Sequence, residues 1–156
     1  MVSFKKASKA QARLRMAIIG PSGGGKTYTA LAIASALGSR IAVLDTERGS
    51  ASKYADKFAF EVAELETFEP SSYVSAIQAA GAAGYDVLVI DSLSHAWMGK
   101  GGALEQVDNA AKRSQGNRFG GWGDVAPRHS ALVDAHLRSP MHVIVTMRTK
   151  TEYVLE

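Results

Sequence analysis

The chain has 156 residues, 46% of them hydrophobic, a formal net charge of +3 and no cysteine. That length favours a single domain, residues 1–156, around one core, and the missing cysteines exclude disulfides and thiolate metal sites. No apolar run approaches the roughly 20 residues of a membrane-spanning helix, and the basic opening MVSFKKASKAQARLR leads into no signal-peptide apolar region. The expectation is a soluble cytoplasmic protein with no membrane partner.

Charge is unevenly spread along the chain. Residues 1–44 hold seven Lys or Arg and no acid, residues 45–98 hold nine acids against three bases, and residues 99–150 hold eight bases against four acids. Such asymmetry suits a surface that meets phosphate backbones, and solvated faces around one nucleotide-binding lysine account for it equally well. Lys5, Lys6, Lys9 and Arg13 stand among small residues with too little apolar content for a packed helix, so residues 1–13 read as a basic docking arm.

The apolar run Met16 to Ile19 then enters a glycine-rich turn that opens into an alanine- and leucine-rich helix. Gly20, Pro21, Ser22, Gly23, Gly24, Gly25, Lys26 and Thr27 satisfy the P-loop spacing GxxxxGK[ST] between strand and helix. Triphosphate oxygens need many donors at once, and glycine lets the backbone wrap tightly enough to aim successive N–H groups inward. The helix start adds its positive dipole end. Lys26 is expected to reach the β- and γ-phosphates of ATP, and the Thr27 hydroxyl to ligate Mg²⁺. Tyr28 is counted with this nucleotide-binding segment, its ring packed beside the helix rather than stacked on a base. Gly38 reads as the residue that ends the helix.

Ile41 to Leu44 reads as a buried strand, with Asp45, Thr46 and Glu47 where it emerges. Phe58 to Leu65 suggests a short edge strand. Pro70, Ser71 and Ser72 start a helix that Gly84 stops. Val87 to Ile90 is an uninterrupted apolar run ending in Asp91, as expected of a central parallel strand. Asp91 is where a Walker B carboxylate belongs, since ligands of open α/β sheets gather beyond the carboxyl ends of the strands. Magnesium prefers hard oxygens and keeps several waters, so Thr27, Asp91 and phosphate oxygens suffice to hold it.

From His95 to Asp124 the chain is glycine-rich around a helix over Ala103 to Lys112, and it reads as a long loop excursion. Lys100, Arg113, Arg118, Phe119 and Trp122 combine cations with aromatic faces, the pattern of single-strand binding. Trp97 and Trp122 read equally as anchors that pin the loop. Pro127 is placed in the first turn of another helix, with His129 and His136 able to share a face, and Pro140 ends it. MHVIVTMRTK is a further buried strand. The alternation predicts an α/β fold with a mostly parallel sheet covered on both faces, and the final TEYVLE opens a new alternating pattern, as if C-terminal strands were missing.

Hydrolysis also needs a group that orients or deprotonates water beyond the γ-phosphate. Ser92, not Glu, follows Asp91, so Glu47 in LDTERG is the best remaining carboxylate. Pairing with Arg48 or Lys53 is its bland alternative.

A P-loop strand and helix, then a strand ending in Asp, a small residue and Glu, then a strand ending in Asp-Ser, resembles the RecA/RadA recombinase ATPase core. The likeness covers roughly residues 14 to 150 and is greatest to short bacteriophage RecA-core ATP-binding proteins of recombination and single-strand annealing. It implies a RecA-like three-layer P-loop NTPase fold, Glu47 as catalytic base, Asp91 as the Walker B residue, and Thr146 to Lys150 as the segment that senses γ-phosphate. It also implies a ring or filament of like subunits, with single-stranded DNA, and a phage single-strand-binding protein or helicase, as partners in the host cytoplasm. RecA proteins usually place a polar amide in the sensing segment, whereas Arg148 and Lys150 make sensing cationic here, with a salt-bridged strand end as the alternative. A DNA-stimulated ATPase is thus the leading expectation. The alternatives are a motor or helicase loader on duplex DNA or a protein, and a nucleotide-gated assembly module.

Overall fold

The computed structural model describes residues 4, 6, 12–113 and 118–149, with the side chains of residues 118 and 119 outside that description. Most of the basic arm, Lys150 and the TEYVLE segment therefore lie outside the described residues. Five strands, β1 (Arg15–Gly20), β2 (Ile41–Asp45), β3 (Glu61–Glu64), β4 (Val87–Asp91) and β5 (His142–Arg148), form one sheet in the order β1-β5-β4-β2-β3. Every pairing is parallel. The expected edge strand is thus present, trimmed to four residues.

Period two in the strands builds the layers. Ile41, Val43, Val87, Val89 and Ile144 face one way, against Ala30, Leu31 and Ala34 of α1 (Lys26–Leu37). Their neighbours Ala42, Leu44, Leu88, Ile90, Val143 and Val145 face the other way, onto Tyr73 and Ile77 of α2 (Pro70–Ala82) and Leu132 of α5 (Arg118–Arg138). A central strand buried on both faces must be apolar throughout, which is why β2 and β4 read as unbroken runs. The result is the anticipated three-layer α/β sandwich of a P-loop NTPase. Because all five strands run parallel, the P-loop, Asp91 and the β2 end lie together at the carboxyl edge of the sheet.

The excursion after β4 differs from the expected loop. It folds as α3 (Ser94–Met98), α4 (Ala103–Arg113) and a long α5 that includes the glycine-rich stretch. Ala103, Val107 and Val125 form a separate small core with Trp122 against it. A Cβ on Gly121 would lie 2.8 Å from the Val107 carbonyl oxygen, so this glycine permits close approach of two helices instead of chain freedom. Pro127 is the tenth residue of α5 and not in its first turn, so the helix starts well before the position expected for it and continues through a residue with no N–H to donate.

Two junctions hold the layers in register. The Arg15 guanidinium donates to the carbonyls of Leu14, Leu137, Ser139 and Met141, so a cation from β1 caps the carboxyl end of α5. Burial, and then Arg13, lower the pKa of that guanidinium. At the end of α1, Gly38 is extended (φ −168°), not left-handed as a terminating glycine would be. It is required there because a Cβ would meet the Asp86 Cβ at 2.4 Å.

Candidate nucleotide site

The P-loop follows β1 directly. Gly23 and Gly25 adopt left-handed φ values of 77° and 75°, and Gly24 N donates to Pro21 O at 3.2 Å, closing the loop. This alternation of backbone hand makes an anion-binding nest of N–H groups ahead of the α1 dipole. Lys26 is buried and its Nζ donates to Pro21 O at 2.6 Å, folding the ammonium back over the loop.

Asp91 ends β4 with 2% of its surface exposed. Its Oδ2 accepts from Thr27 Oγ1 at 2.6 Å and from Ser50 Oγ at 3.4 Å, and its Oδ1 accepts from Thr146 Oγ1 at 2.5 Å. Three hydroxyls from three elements thus meet one carboxylate. A buried carboxylate flanked by hydroxyls is a hard-oxygen donor set that suits Mg²⁺, and Thr27 with Asp91 would hold it. The residues expected to bind metal are therefore in contact with one another.

Glu47 and Arg148 also meet. Arg148 Nε donates to Glu47 Oε1 at 2.8 Å, and a second guanidinium nitrogen contacts Oε2, making a bidentate pair. The partner anticipated for Glu47 on a purely structural reading was Arg48 or Lys53; the partner found is the cation expected to sense phosphate. These residues and Ser22 to Thr27, Ser50, Lys53, Tyr54 and Asp91 line one polar cavity of about 330 Å³. A larger cavity of about 540 Å³ opens between α2 and α5, but its lining is mainly apolar and holds no convergent set of charged groups.

Several positioning residues had no assigned role in the sequence. The Asp45 carboxylate, 1% exposed, accepts from Glu47 N at 2.7 Å and Ala51 N at 3.0 Å, so it closes both ends of the loop that carries Glu47 and Ser50. Burial pushes its pKa up, against the bond from Ala51. An Asp at a strand end followed by a Gly-Ser turn was the available signal. Thr46 Oγ1 donates to Ser92 O at 3.0 Å, accepts from Ser92 N at 2.7 Å, and lies 2.8 Å from His95 Nδ1. The His95 ring stacks on Phe68, and burial lowers its pKa despite the Asp91 charge. The Asp91–Ser92 peptide is cis.

Tyr28 does not line the cavity. It packs edge-on against Tyr54 and Phe58, with ring centroids 5.8 and 5.3 Å away. Tyr54, which sequence reasoning passed over, is the aromatic ring that the cavity wall includes. Gly20 and Pro21 shape the loop from behind it. Lys150 lies outside the described residues.

The residues grouped for DNA contact are dispersed over a helical surface. Lys100 is exposed at the turn between α3 and α4, and Arg113 ends α4 beside Glu69 and Asp124 in a small cavity. Trp122 stacks on Trp97 at 5.5 Å, and Trp97 meets His129 edge-on, which is the anchoring arrangement; Trp97 keeps 39% of its surface exposed. The side chains of Arg118 and Phe119 lie outside the described residues.

A family model described as an AAA domain matches residues 12–156. Comparison with curated proteins finds no match. Among the described residues no helix is long and apolar enough to cross a membrane.

Proposed function

The chain belongs to the AAA domain family, a nucleotide-binding ATPase type of domain, and on that premise we propose that it hydrolyses Mg²⁺-ATP in response to single-stranded DNA. The observation that carries the reading is the convergence of the P-loop, Asp91 and Glu47 on one polar cavity. The order of those segments in the chain, with its RecA/RadA likeness, supports the finer proposal of a phage-type recombination or annealing ATPase.

The residues divide the work as follows. The P-loop amides and Lys26 bind the triphosphate, Lys26 exchanging its bond to Pro21 O for phosphate oxygens. Thr27 and Asp91 would hold Mg²⁺, which when bound would supply neutralisation of the triphosphate charge. Thr146 and Ser50 orient the Asp91 carboxylate. Glu47 accepts the proton of the attacking water, and Asp45 fixes the backbone from which it acts. Arg148 stabilises charge at the γ-phosphate. The Arg148 pair occupies both Glu47 oxygens, so activation requires that pair to open, and a γ-phosphate is the anion able to compete for the guanidinium. The Tyr54 ring offers an apolar face to the base.

The test is ATP turnover of this chain and of Lys26→Ala, each with and without single-stranded DNA over a salt series. Stimulation by DNA that weakens as salt rises is expected, because phosphate contacts release counterions. Nucleotide binding without DNA stimulation removes the recombination reading. The Glu47–Arg148 pair favours a second reading, a nucleotide-gated assembly module, which negligible turnover together with ATP-dependent assembly would support.

A further inference from the structure

The two carboxylates of the cavity leave the sheet from neighbouring strands. Asp91 ends β4, Glu47 stands just beyond the end of β2, and the β2–β4 pairing runs out at Asp45 opposite Asp91. Past that point Thr46 takes over. Its N–H donates to Asp91 O at 2.7 Å, and its hydroxyl spans both backbone groups of Ser92, accepting from Ser92 N at 2.7 Å and donating to Ser92 O at 3.0 Å. Thr46 precedes Glu47 and Ser92 follows Asp91, so this hydroxyl sets how the two carboxylates stand to one another.

A hydroxyl has one proton and two lone pairs. Thr46 Oγ1 has a third partner, His95 Nδ1 at 2.8 Å. With the proton on Ser92 O and one lone pair taken by Ser92 N–H, the other lone pair is left to accept, which makes Nδ1 the donor. The opposite tautomer would draw the Thr46 proton away from Ser92 O, leaving that carbonyl only the longer bond from Tyr73 Oη at 3.3 Å. Thr46 is 4% exposed and Ser92 wholly buried, so water does not replace what is lost. The ring is also clamped in place. It stacks on Phe68 at 4.9 Å, Phe68 N donates to Lys100 O at 3.0 Å, and a Cβ on Gly99 would lie 2.7 Å from the Phe68 ring.

We propose that His95, from outside the cavity lining, is a positioning residue of the nucleotide site: its Nδ1–H donates to Thr46 Oγ1, keeps that hydroxyl's proton on Ser92 O, and so holds Glu47 in place against Asp91. The consequence for turnover rests on the ATP-hydrolysis reading; the position of the ring proton does not.

The test joins two measurements on the full chain. Long-range ¹H–¹⁵N correlation spectra should show the His95 proton on Nδ1. In steady-state kinetics with Mg²⁺-ATP, His95→Phe keeps a flat ring on Phe68 without the donor and should lower kcat by about 10²-fold at unchanged KM, the cost of a misplaced reacting group. His95→Asn, whose amide nitrogen takes the place of Nδ1, should recover most of that loss. His95→Gln, whose nitrogen takes the place of Nε2, should not. A wild-type kcat in His95→Phe, an Asn variant no faster than the Phe variant, or a bare Nδ1 overturns the proposal. A wild type that binds ATP without turning it over removes the hydrolysis reading instead, and the spectra then decide: a proton on Nδ1 upholds the link to Thr46, and a bare Nδ1 refutes it.

Discussion

Two glycine-rich regions of this protein use the same residue for opposite purposes. In the P-loop, Gly23 and Gly25 have left-handed backbones and a Cβ on either would touch nothing within 4 Å. Space is free there and the dihedral angle is the constraint. In the α4–α5 hairpin, Gly121 is helical, and its missing Cβ is what lets the Val107 carbonyl approach. There the angle is ordinary and space is the constraint. One region shapes a cavity for a ligand, the other welds two helices, and substitutions should separate activity from stability accordingly.

The largest effect is expected at the cavity. Glu47→Gln keeps the side-chain volume and removes the proposed base, so turnover should fall by about 10² to 10⁴-fold with nucleotide binding retained. Its melting temperature should stay near that of wild type, because the lost partner, Arg148, is exposed. A melting temperature that fell by many degrees would make the pair structural and spoil the contrast.

The hairpin should behave the other way. Gly121→Ala drives a methyl into backbone and should cost about 1–3 kcal/mol, read as a lower denaturant midpoint with unchanged turnover per folded molecule. Gly123→Ala, where a Cβ would touch nothing within 4 Å, should gain up to about 1 kcal/mol from helix propensity. Equal effects at the two positions would refute close approach as the reason for Gly121.

The smallest effect concerns pH. His136 lies on α5, its Nδ1 buried without a hydrogen-bond partner among the described residues, and burial followed by the Arg15 charge lowers its pKa. The unfolded chain then binds a proton that the folded chain refuses, so stability should be level above the ordinary histidine value of about 6.5 and decline as pH falls below it. Thermal melts of wild type and His136→Gln between pH 8 and 5 should converge at the alkaline end if the variant packs as well. A variant whose slope matched wild type would acquit this histidine.

The cavity was largely legible in advance, since phosphate, magnesium and water each demand particular atoms, and a chain can deliver those atoms only at short, recognisable spacings. Gly20 to Thr27 and the Asp91 strand end are of this kind. Asp45 was visible as a residue and invisible in its role, because its partners are backbone amides of a turn that exists only once β2 has ended. The excursion after β4 was misread as a loop for a related reason. Glycine composition states that a side chain is absent, and not whether the freed quantity is rotation or room.

Sequence by itself settled the alternation of apolar runs, the P-loop and the buried strand ending in Asp91, because local spacing and hydrophobic period are properties of neighbouring residues. Only the tertiary structure decided that Arg148 holds Glu47, that Tyr54 and not Tyr28 faces the cavity, and that the Trp97–Trp122 pair stacks within a helical layer. Those contacts join residues up to 101 positions apart, and the parallel sheet order, with β5 set between β1 and β4, is what brings them within reach.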